Sequence, residues 1–433
     1  MGYVAKEKPA KAADIRVPLE CRAAVLDRVI TCLGGSASFD ETRAPEFLKV
    51  ASSVTGDVIT VADLRARLAQ CQPWRTKVKR LLLSPGIEQR TPAWHDARKG
   101  LITASDVAQA LGCSKFGNQR AFFQKKCGAP EEQTAFDASL PPLKWGVMYE
   151  PVAQALYSAV NAGVPVYEFG LLLHPTVPHL GASPDGITDH GVMLEIKCPW
   201  RRRIDDGNVP LQYYHQIQIQ LEVCGLEECD YFECEFFEVD GPDEPEWSGA
   251  PNATSRGVFV ELETRSGGSG GSNGVSSSSF VYATLELGAP EYQQWLAGVQ
   301  SAGDSMGVTA RVHWWVLRKR CTARVMHDPA FVADVIARTG EVWQQVLAYR
   351  ADRGLYEREV LAAGASKRAT STSSSVPSAS SSVPSAPSAS SSVPSASSTK
   401  PGRSAPSASR RPAASVVDVY AFISDDEGSC ANI

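Results

Sequence analysis

Asp185, Glu195 and Lys197 are the residues of this chain whose types and spacing could do chemistry together. Asp185 stands in Ser183-Pro184-Asp185-Gly186, a turn-forming run that delivers a carboxylate at a strand end. Thr188 to Gly191 reads as a hairpin turn, and Val192 to Lys197 as the returning strand. Side chains alternate across a strand, so Glu195 and Lys197 share one side while Ile196 faces the other. Two hard carboxylates on one side make a site for Mg²⁺. A lysine beside them can position an attacking water or help deprotonate it. Taken singly, Ser-Pro-Asp-Gly is an ordinary turn and Leu-Glu-Ile-Lys an ordinary strand with a same-face ion pair. Their combination at this separation favours the catalytic reading.

The elements that position these groups must come from a chain of 433 residues, 43% hydrophobic and 21% charged, with room for one large domain or two to three small ones. No apolar run approaches the ~20 residues of a membrane span, and Met1 to Lys11 is charged, without a signal-peptide core. The 11 cysteines lack a C-x-x-C pair and read as buried thiols in an intracellular, reducing compartment. With a net charge of -5, binding of nucleic acid requires a local basic excess. Between Arg75 and Lys126 there are eleven Lys and Arg against three Asp and Glu. A second cluster, Arg201-Arg202-Arg203, directly follows the Glu195 strand. Both flank the candidate metal site, which favours phosphate contacts, with Arg201 and Arg202 as substrate-binding residues.

Residues 1–85 read as a helical N-terminal extension: Leu19, Ala23, Leu26, Ile30 and Leu33 recur at helical spacing, and Thr60 can cap a second helix carrying Leu64 and Leu68. Residues 86–363 hold the main domain. Within it a helix starts at Thr103 or Ser105 and stops at Gly112, and another spans Leu143 to Val160. Pro151 places Glu150 near the start or a bend of that second helix. Leu211 to Gly225 alternates like a strand, yet Tyr213, Ile217, Leu221 and Cys224 share a helical face, so it reads as helix. Strands are expected over Val166–Leu173, Cys229–Val239, Gly257–Glu263, Phe280–Leu287 and Arg311–Lys319. A last helix starts at Asp328-Pro329, with Phe331, Val335, Trp343 and Leu347 on its inner face. The Gly/Ser run 266–279 reads as a flexible insertion. Residues 364–433 read as a disordered Ser/Pro/Ala-rich tail, ending in an apolar-then-acidic stretch, Val416 to Glu427, suited to binding a protein partner.

Five pieces occur in an order that resembles the lambda exonuclease / YqaJ-type viral recombinases, a branch of the PD-(D/E)xK nucleases. They are Ala93-Trp94-His95 with Arg98 and Ile102 to Ser105; Trp145-Gly146 with Tyr149-Glu150; Ser183 to Gly186; Leu194 to Pro199; and Tyr213 with Gln216 to Gln218. The resemblance covers roughly 91–241. It implies an α/β, restriction-endonuclease-like core, a mixed central sheet flanked by helices. It implies that Asp185, Glu195 and the main-chain carbonyl of Ile196 bind Mg²⁺ (Mn²⁺ being the alternative ion), and that Lys197 handles the water. Glu150 would complete the acidic site, Gln216 would help orient it, and Arg98 and Ser105 would hold the 5′-phosphate of the strand being degraded. No acid lies in His174 to Ala182, where phage members supply one, so a single metal is the expectation.

The expected function is Mg²⁺-dependent hydrolysis of DNA phosphodiesters, as a 5′→3′ exonuclease on double-stranded ends in viral recombination or genome processing. Two alternatives remain open. One is a structure-specific or RNA/DNA endonuclease of the same superfamily; the other is a non-catalytic DNA-binding protein. By analogy the partners are duplex DNA ends, a single-strand annealing protein and a homotrimer, with no membrane. The compartment would be host cytoplasm or nucleus.

Overall fold

The computed structural model describes residues 15–16, 22–35, 38–83, 86–129, 140–264, 277–285 and 289–362. Residues through Tyr356 form one compact unit, and a second begins at Glu357. Of that second unit a short π-helix, Glu357–Leu361, is described. The expected tail, with Val416 to Glu427, and most of the Gly/Ser insertion lie outside the described residues.

A two-residue strand, β1 (Ile15–Arg16), precedes α1 (Arg22–Cys32), α2 (Ala44–Thr55) and α3 (Val61–Leu82). Next come α4 (Pro92–Lys99), β2 (Ile102–Thr103), α5 (Val107–Ala110), α6 (Gln119–Cys127) and α7 (Pro141–Val160). Short strands follow: β3 (Val166–Tyr167), β4 (Leu172–Leu173), β5 (Leu180–Ala182), β6 (Gly186–Thr188), β7 (Met193–Lys197) and β8 (Asn208–Val209). Then come α8 (Leu211–Cys224), β9 (Glu228–Val239), α9 (Pro245–Ser248), β10 (Arg256–Thr264) and β11 (Ser277–Tyr282). The last are α10 (Ala289–Met306), β12 (Thr309–Met326) and α11 (Pro329–Ala351).

Seven strands form a mixed sheet in the order β11-β10-β12-β9-β7-β6-β3. Only β7 and β9 run parallel in it; α8, which lies between them in the chain, makes the crossover that such a pair requires. Gly225 ends α8 in a left-handed conformation (φ 64°), which selects helix over the strand-like alternation of its centre. Helix α7 covers one face of the sheet: Met148, Val152 and Leu156 pack with Leu194, Ile196 and Phe232. A small sheet, β2-β5-β4, holds the start of the Asp185 turn. Among the described residues no helix is long and apolar enough to cross a membrane.

Several expectations need correction. Helix α7 begins at Pro141, so Pro151 lies inside it and, of the two expected placements for Glu150, the helix start is excluded. Pro151 has no N–H for the carbonyl of Val147; the tertiary packing of the flanking turns carries the helix through. Helices α2 and α4 were not anticipated, although Thr91-Pro92 is a strong start signal: Thr91 Oγ1 accepts from Trp94 N–H at 3.2 Å. The inner face of α11 is Val332, Val335, Thr339, Val342, Val346 and Tyr349, while Leu347 is 44% exposed. Val335 is on the inner face as expected, and Leu347 is not.

The N-terminal helices are keyed into the sheet by buried ions. Arg67 of α3 forks onto Asp27 of α1 (2.8 and 2.9 Å) and onto Glu228 of β9 (2.6 and 2.7 Å). Arg324 of β12 continues the network to Asp230 (2.5 and 3.1 Å), which also accepts from the Tyr157 hydroxyl at 2.6 Å. Removing one member leaves buried carboxylates uncompensated. Arg67→Ala is therefore expected to destabilise the folded unit by about 3–5 kcal/mol in urea unfolding. A loss below about 1 kcal/mol would mean that the network adds nothing to the joint.

Candidate active site

The Ser183-Pro-Asp-Gly run sits where β5 hands over to β6. Its position is fixed by three side chains: Trp94 Nε1 donates to Ser183 Oγ (3.0 Å), Gln89 Nε2 to the Pro184 carbonyl (3.2 Å), and Gln220 Nε2 to the Ser183 carbonyl (3.4 Å). Beneath it, Gly86 (φ 85°) and Gly170 let two backbones meet. A Cβ on Gly170 would lie 2.1 Å from the carbonyl oxygen of Ile87.

Register explains what the proline does. Strands β6 and β7 pair Gly186 with Leu194 and Ile187 with Met193, so Pro184 falls opposite Ile196. Thr188 N–H bonds Val192 O at 2.8 Å, and hydrogen-bonded pairs recur every second residue, which makes 184/196 such a position. Pro184 has no N–H to offer the Ile196 carbonyl. The Ile196 N–H instead donates to Asp185 Oδ2 at 2.7 Å. Both main-chain groups of a strand residue point to the same edge, so the Ile196 carbonyl is directed to the Asp185 side.

Glu195 and Lys197 share the other face of β7. Glu195 is fully buried. Its Oε1 pairs with Lys197 Nζ, and its Oε2 accepts from Gln220 Nε2 at 2.9 Å. The amide that touches Glu195 thus belongs to Gln220, one helical turn beyond the expected Gln216. Both lie on the same face of α8; the height of α8 against β7 selects the second. The Lys197 ammonium also stands 5.0 Å from the centre of the Tyr213 ring.

Glu150 lines the same cleft as Asp185, a space of about 410 Å³ bordered also by Glu88, Arg90, Gln154 and Glu168. Arg90 Nη2 donates to both Glu150 oxygens (2.8 and 2.9 Å) from a left-handed backbone position, φ 66°. Burial, then repulsion by Glu195 and Glu150, holds the Asp185 carboxyl well above the usual carboxylate range. Burial also raises Glu150, with Arg90 and Lys197 acting against it. Burial opposes the charge on Lys197, but Glu195 and Asp185 outweigh it and raise the ammonium above its ordinary value.

This donor set suits a hard divalent cation: two carboxylates that repel each other stand beside the Ile196 main chain, and their repulsion has no complete internal compensation. The buried Gln220 Oε1 has no hydrogen-bond partner beside them. The side chains are not already splayed as ligands, and among the described residues no group of three or more His, Cys, Asp and Glu is arranged to hold a metal. Glu195 is engaged by Lys197 and Gln220, which a bound ion would have to share or displace.

Arg98 and Ser105 are brought together. Arg98 Nη2 donates to Ser105 Oγ at 3.1 Å, and its guanidinium lies 4.0 Å from the Trp94 ring centre. Arg98 sits in the last turn of α4, and Ser105 in a 3-10 turn leading into the four-residue α5. The helix expected from Thr103 or Ser105 to Gly112 is thus a 3-10 turn followed by one turn of α-helix, and the hydroxyl and guanidinium are the donors. Asp96 pairs with Lys99 (2.7 Å), while buried Asp106 takes Lys125 (2.6 Å) and Lys126 (2.9 Å).

Part of the basic excess of 75–126 is engaged by groups of the protein itself. Arg75 reaches Asp189 (3.4 Å), Arg90 holds Glu150, and Lys77 donates to the Gly225 carbonyl. Arg202 is likewise engaged by buried Glu233, to which Tyr231 donates at 2.7 Å. Arg201 is exposed and stacks on Trp200, 3.9 Å from its ring centre.

Glu150, Asp185, Glu195, Lys197, Gln220, Arg98 and Ser105 all lie within 93–227, while the cleft residues Gly86 to Arg90 precede it and the supports from β9 follow it. Residues 93–227 match the family model of the YqaJ-like viral recombinase domain. The chain is 25% identical over 302 residues to the uncharacterized protein R354 of Acanthamoeba polyphaga mimivirus, a match covering 61% of this chain and 54% of that one. It thus spans about half the length of that curated relative. Among solved structures it is similar to an alkaline exonuclease, LHK-Exo, from Laribacter hongkongensis (20% identity, 64% of this chain and 100% of that chain, TM-score 0.35). It is similar also to LHK-Exo in complex with dAMP (20%, 63% and 98%, TM-score 0.35).

Proposed function

We propose that this domain is a Mg²⁺-dependent deoxyribonuclease that degrades duplex DNA from its ends in the 5′→3′ direction. The observation that carries the proposal is that Asp185, held by the Ile196 N–H, is repelled by the buried Glu195, which pairs with Lys197. Mg²⁺ held there (or Mn²⁺) would lower the pKa of a bound water and stabilise charge on the phosphoryl oxygens. Glu195 and Asp185 supply the negative charge that retains the ion, and Glu150 adds to it from α7. Lys197, kept protonated by the carboxylates, orients the water and offsets charge on the reacting phosphate. It becomes competent as a base only when the carboxylates are engaged elsewhere. Gln220 takes the orienting part first expected of Gln216.

Arg98 donates to the Ser105 hydroxyl and lies near Asp106, whose carboxylate is paired with Lys125 and Lys126, so its guanidinium is disposed to fork onto phosphate together with Ser105. Only a terminal 5′-phosphate offers a second charge and an extra oxygen at this point. Wild-type protein is expected to prefer 5′-phosphorylated over 5′-hydroxyl ends, and Arg98→Ala to lose that preference with a drop of about 10- to 100-fold on phosphorylated ends. Equal digestion of both ends by the wild type would remove Arg98 and Ser105 from this role.

Within this reading the partners are duplex ends, a single-strand annealing protein and further copies of the chain in a trimer. The compartment is a reducing one, host cytoplasm or nucleus, in keeping with free thiols at every described cysteine. The test is digestion of linear and covalently closed circular duplex in Mg²⁺ and in EDTA. Loss of the linear form alone, and only with metal, is the expected result. Cutting of the circle would favour an endonuclease.

A further inference from the structure

Phe116 is 78% exposed, on the short loop between α5 and α6. Single exposed apolar residues are common and need no explanation. What sets this one apart is where it is held and how firmly. Lys115 N–H donates to buried Gln212 of α8 at 2.9 Å, and Phe116 N–H to Ser114 Oγ at 3.1 Å. Gln109 Nε2 ties to the Asn118 carbonyl at 3.4 Å, and a Cβ on Gly117 would strike that same amide at 2.5 Å. The loop is thus pinned to the helix that carries Gln220, with the phenyl ring directed out of the packing.

The ring is the outermost of a run leading to the acid cluster. Its centre lies 6.4 Å from that of Tyr213, whose ring in turn sits 5.0 Å from the Lys197 ammonium, which pairs with Glu195. Tyr213 is backed by Tyr231 at 5.9 Å. An aromatic surface beside a cation and a phosphate-cleaving centre matches the chemistry of a nucleobase, which offers a π-face whatever its identity. A protein partner would need a wider apolar patch, whereas the ring beside Phe116 is that of Tyr213, which itself stands by the Lys197 ammonium.

We propose that Phe116, with Tyr213 behind it, is a stacking platform for one base of the strand whose phosphate lies over Asp185 and Glu195. The proposal rests on the nuclease reading above and adds to it the residue that sets the base. The contact is independent of sequence, so it positions every nucleotide in turn.

The test uses duplexes carrying 2-aminopurine at the first, second or third 5′ nucleotide. They are titrated with full-length wild-type, Phe116→Ala and Phe116→Trp protein, with Ca²⁺ in place of Mg²⁺. Wild type is expected to quench the fluorescence at one of the three positions. Phe116→Ala should remove that quench and weaken end binding by roughly tenfold to a hundredfold, and Phe116→Trp should restore both. Equal quenching by wild type and Phe116→Ala, or no quenching at any position, overturns the platform. Release of nucleotides from unmodified linear duplex in Mg²⁺ is measured alongside. A wild type that releases them but shows no Phe116-dependent quench loses the platform and keeps the nuclease. A wild type that releases none loses the nuclease reading itself.

Discussion

Glu195→Gln is expected to abolish cleavage, by at least on the order of 10³-fold, while the domain stays folded. The carboxylate is fully buried and is the group on which Lys197 and Gln220 converge. Glutamine preserves its shape and one acceptor oxygen, but removes the charge that a divalent ion requires. Its new N–H₂ would confront a donor, Lys197 or Gln220. Gln220 can meet it by turning its amide, because its own Oε1 is buried without a partner. The substitution therefore costs little packing and one charge. Turnover assays beside a thermal melt separate the two effects. Wild-type-like turnover would place the metal site elsewhere, whereas a collapsed melt would make Glu195 structural.

Lys197→Ala should lower kcat by about 10²- to 10⁴-fold and leave KM for DNA within a few-fold. The ammonium cannot ligate a cation, yet it lies on the same strand face as Glu195 and is held charged by Glu195 and Asp185. Its removal also takes away the group that competes with a metal for Glu195, so half-saturation by Mg²⁺ should not rise. A raised KM with kcat preserved would instead make Lys197 a clamp for phosphate.

Much of this was legible in the sequence because it is local. The Thr188–Gly191 hairpin, the Asp328 cap and the Gly225 stop each depend on a few neighbouring residues, and each falls where expected. The turn and the strand that carry Asp185, Glu195 and Lys197 are likewise local, and the strand's alternation puts the last two on one side. What was not legible depends on how elements are set against one another. Gln216 and Gln220 are indistinguishable on α8 until its height against β7 is known. The basic residues of 75–126 look like a nucleic-acid surface, but Arg75, Lys77, Arg90, Lys125 and Lys126 have internal partners far away in the chain or across a helix. Arg67 carries no sign of the buried network that it anchors. The role of Pro184 emerges only from register, which places it opposite Ile196 and frees that carbonyl.

The central claim, that Asp185 and Glu195 hold a metal that cuts DNA from a 5′ end, is tested most directly by labelling. Linear duplex with a 5′-terminal label, and the same duplex labelled at its 3′ end, are digested in Mg²⁺ by wild type and by Glu195→Gln. The account predicts that the wild type releases the 5′ label first as a mononucleotide, with the 3′ label persisting in long strands, and that Glu195→Gln and EDTA both stop the release. Early release of the 3′ label, or continued 5′ release by Glu195→Gln, would contradict it.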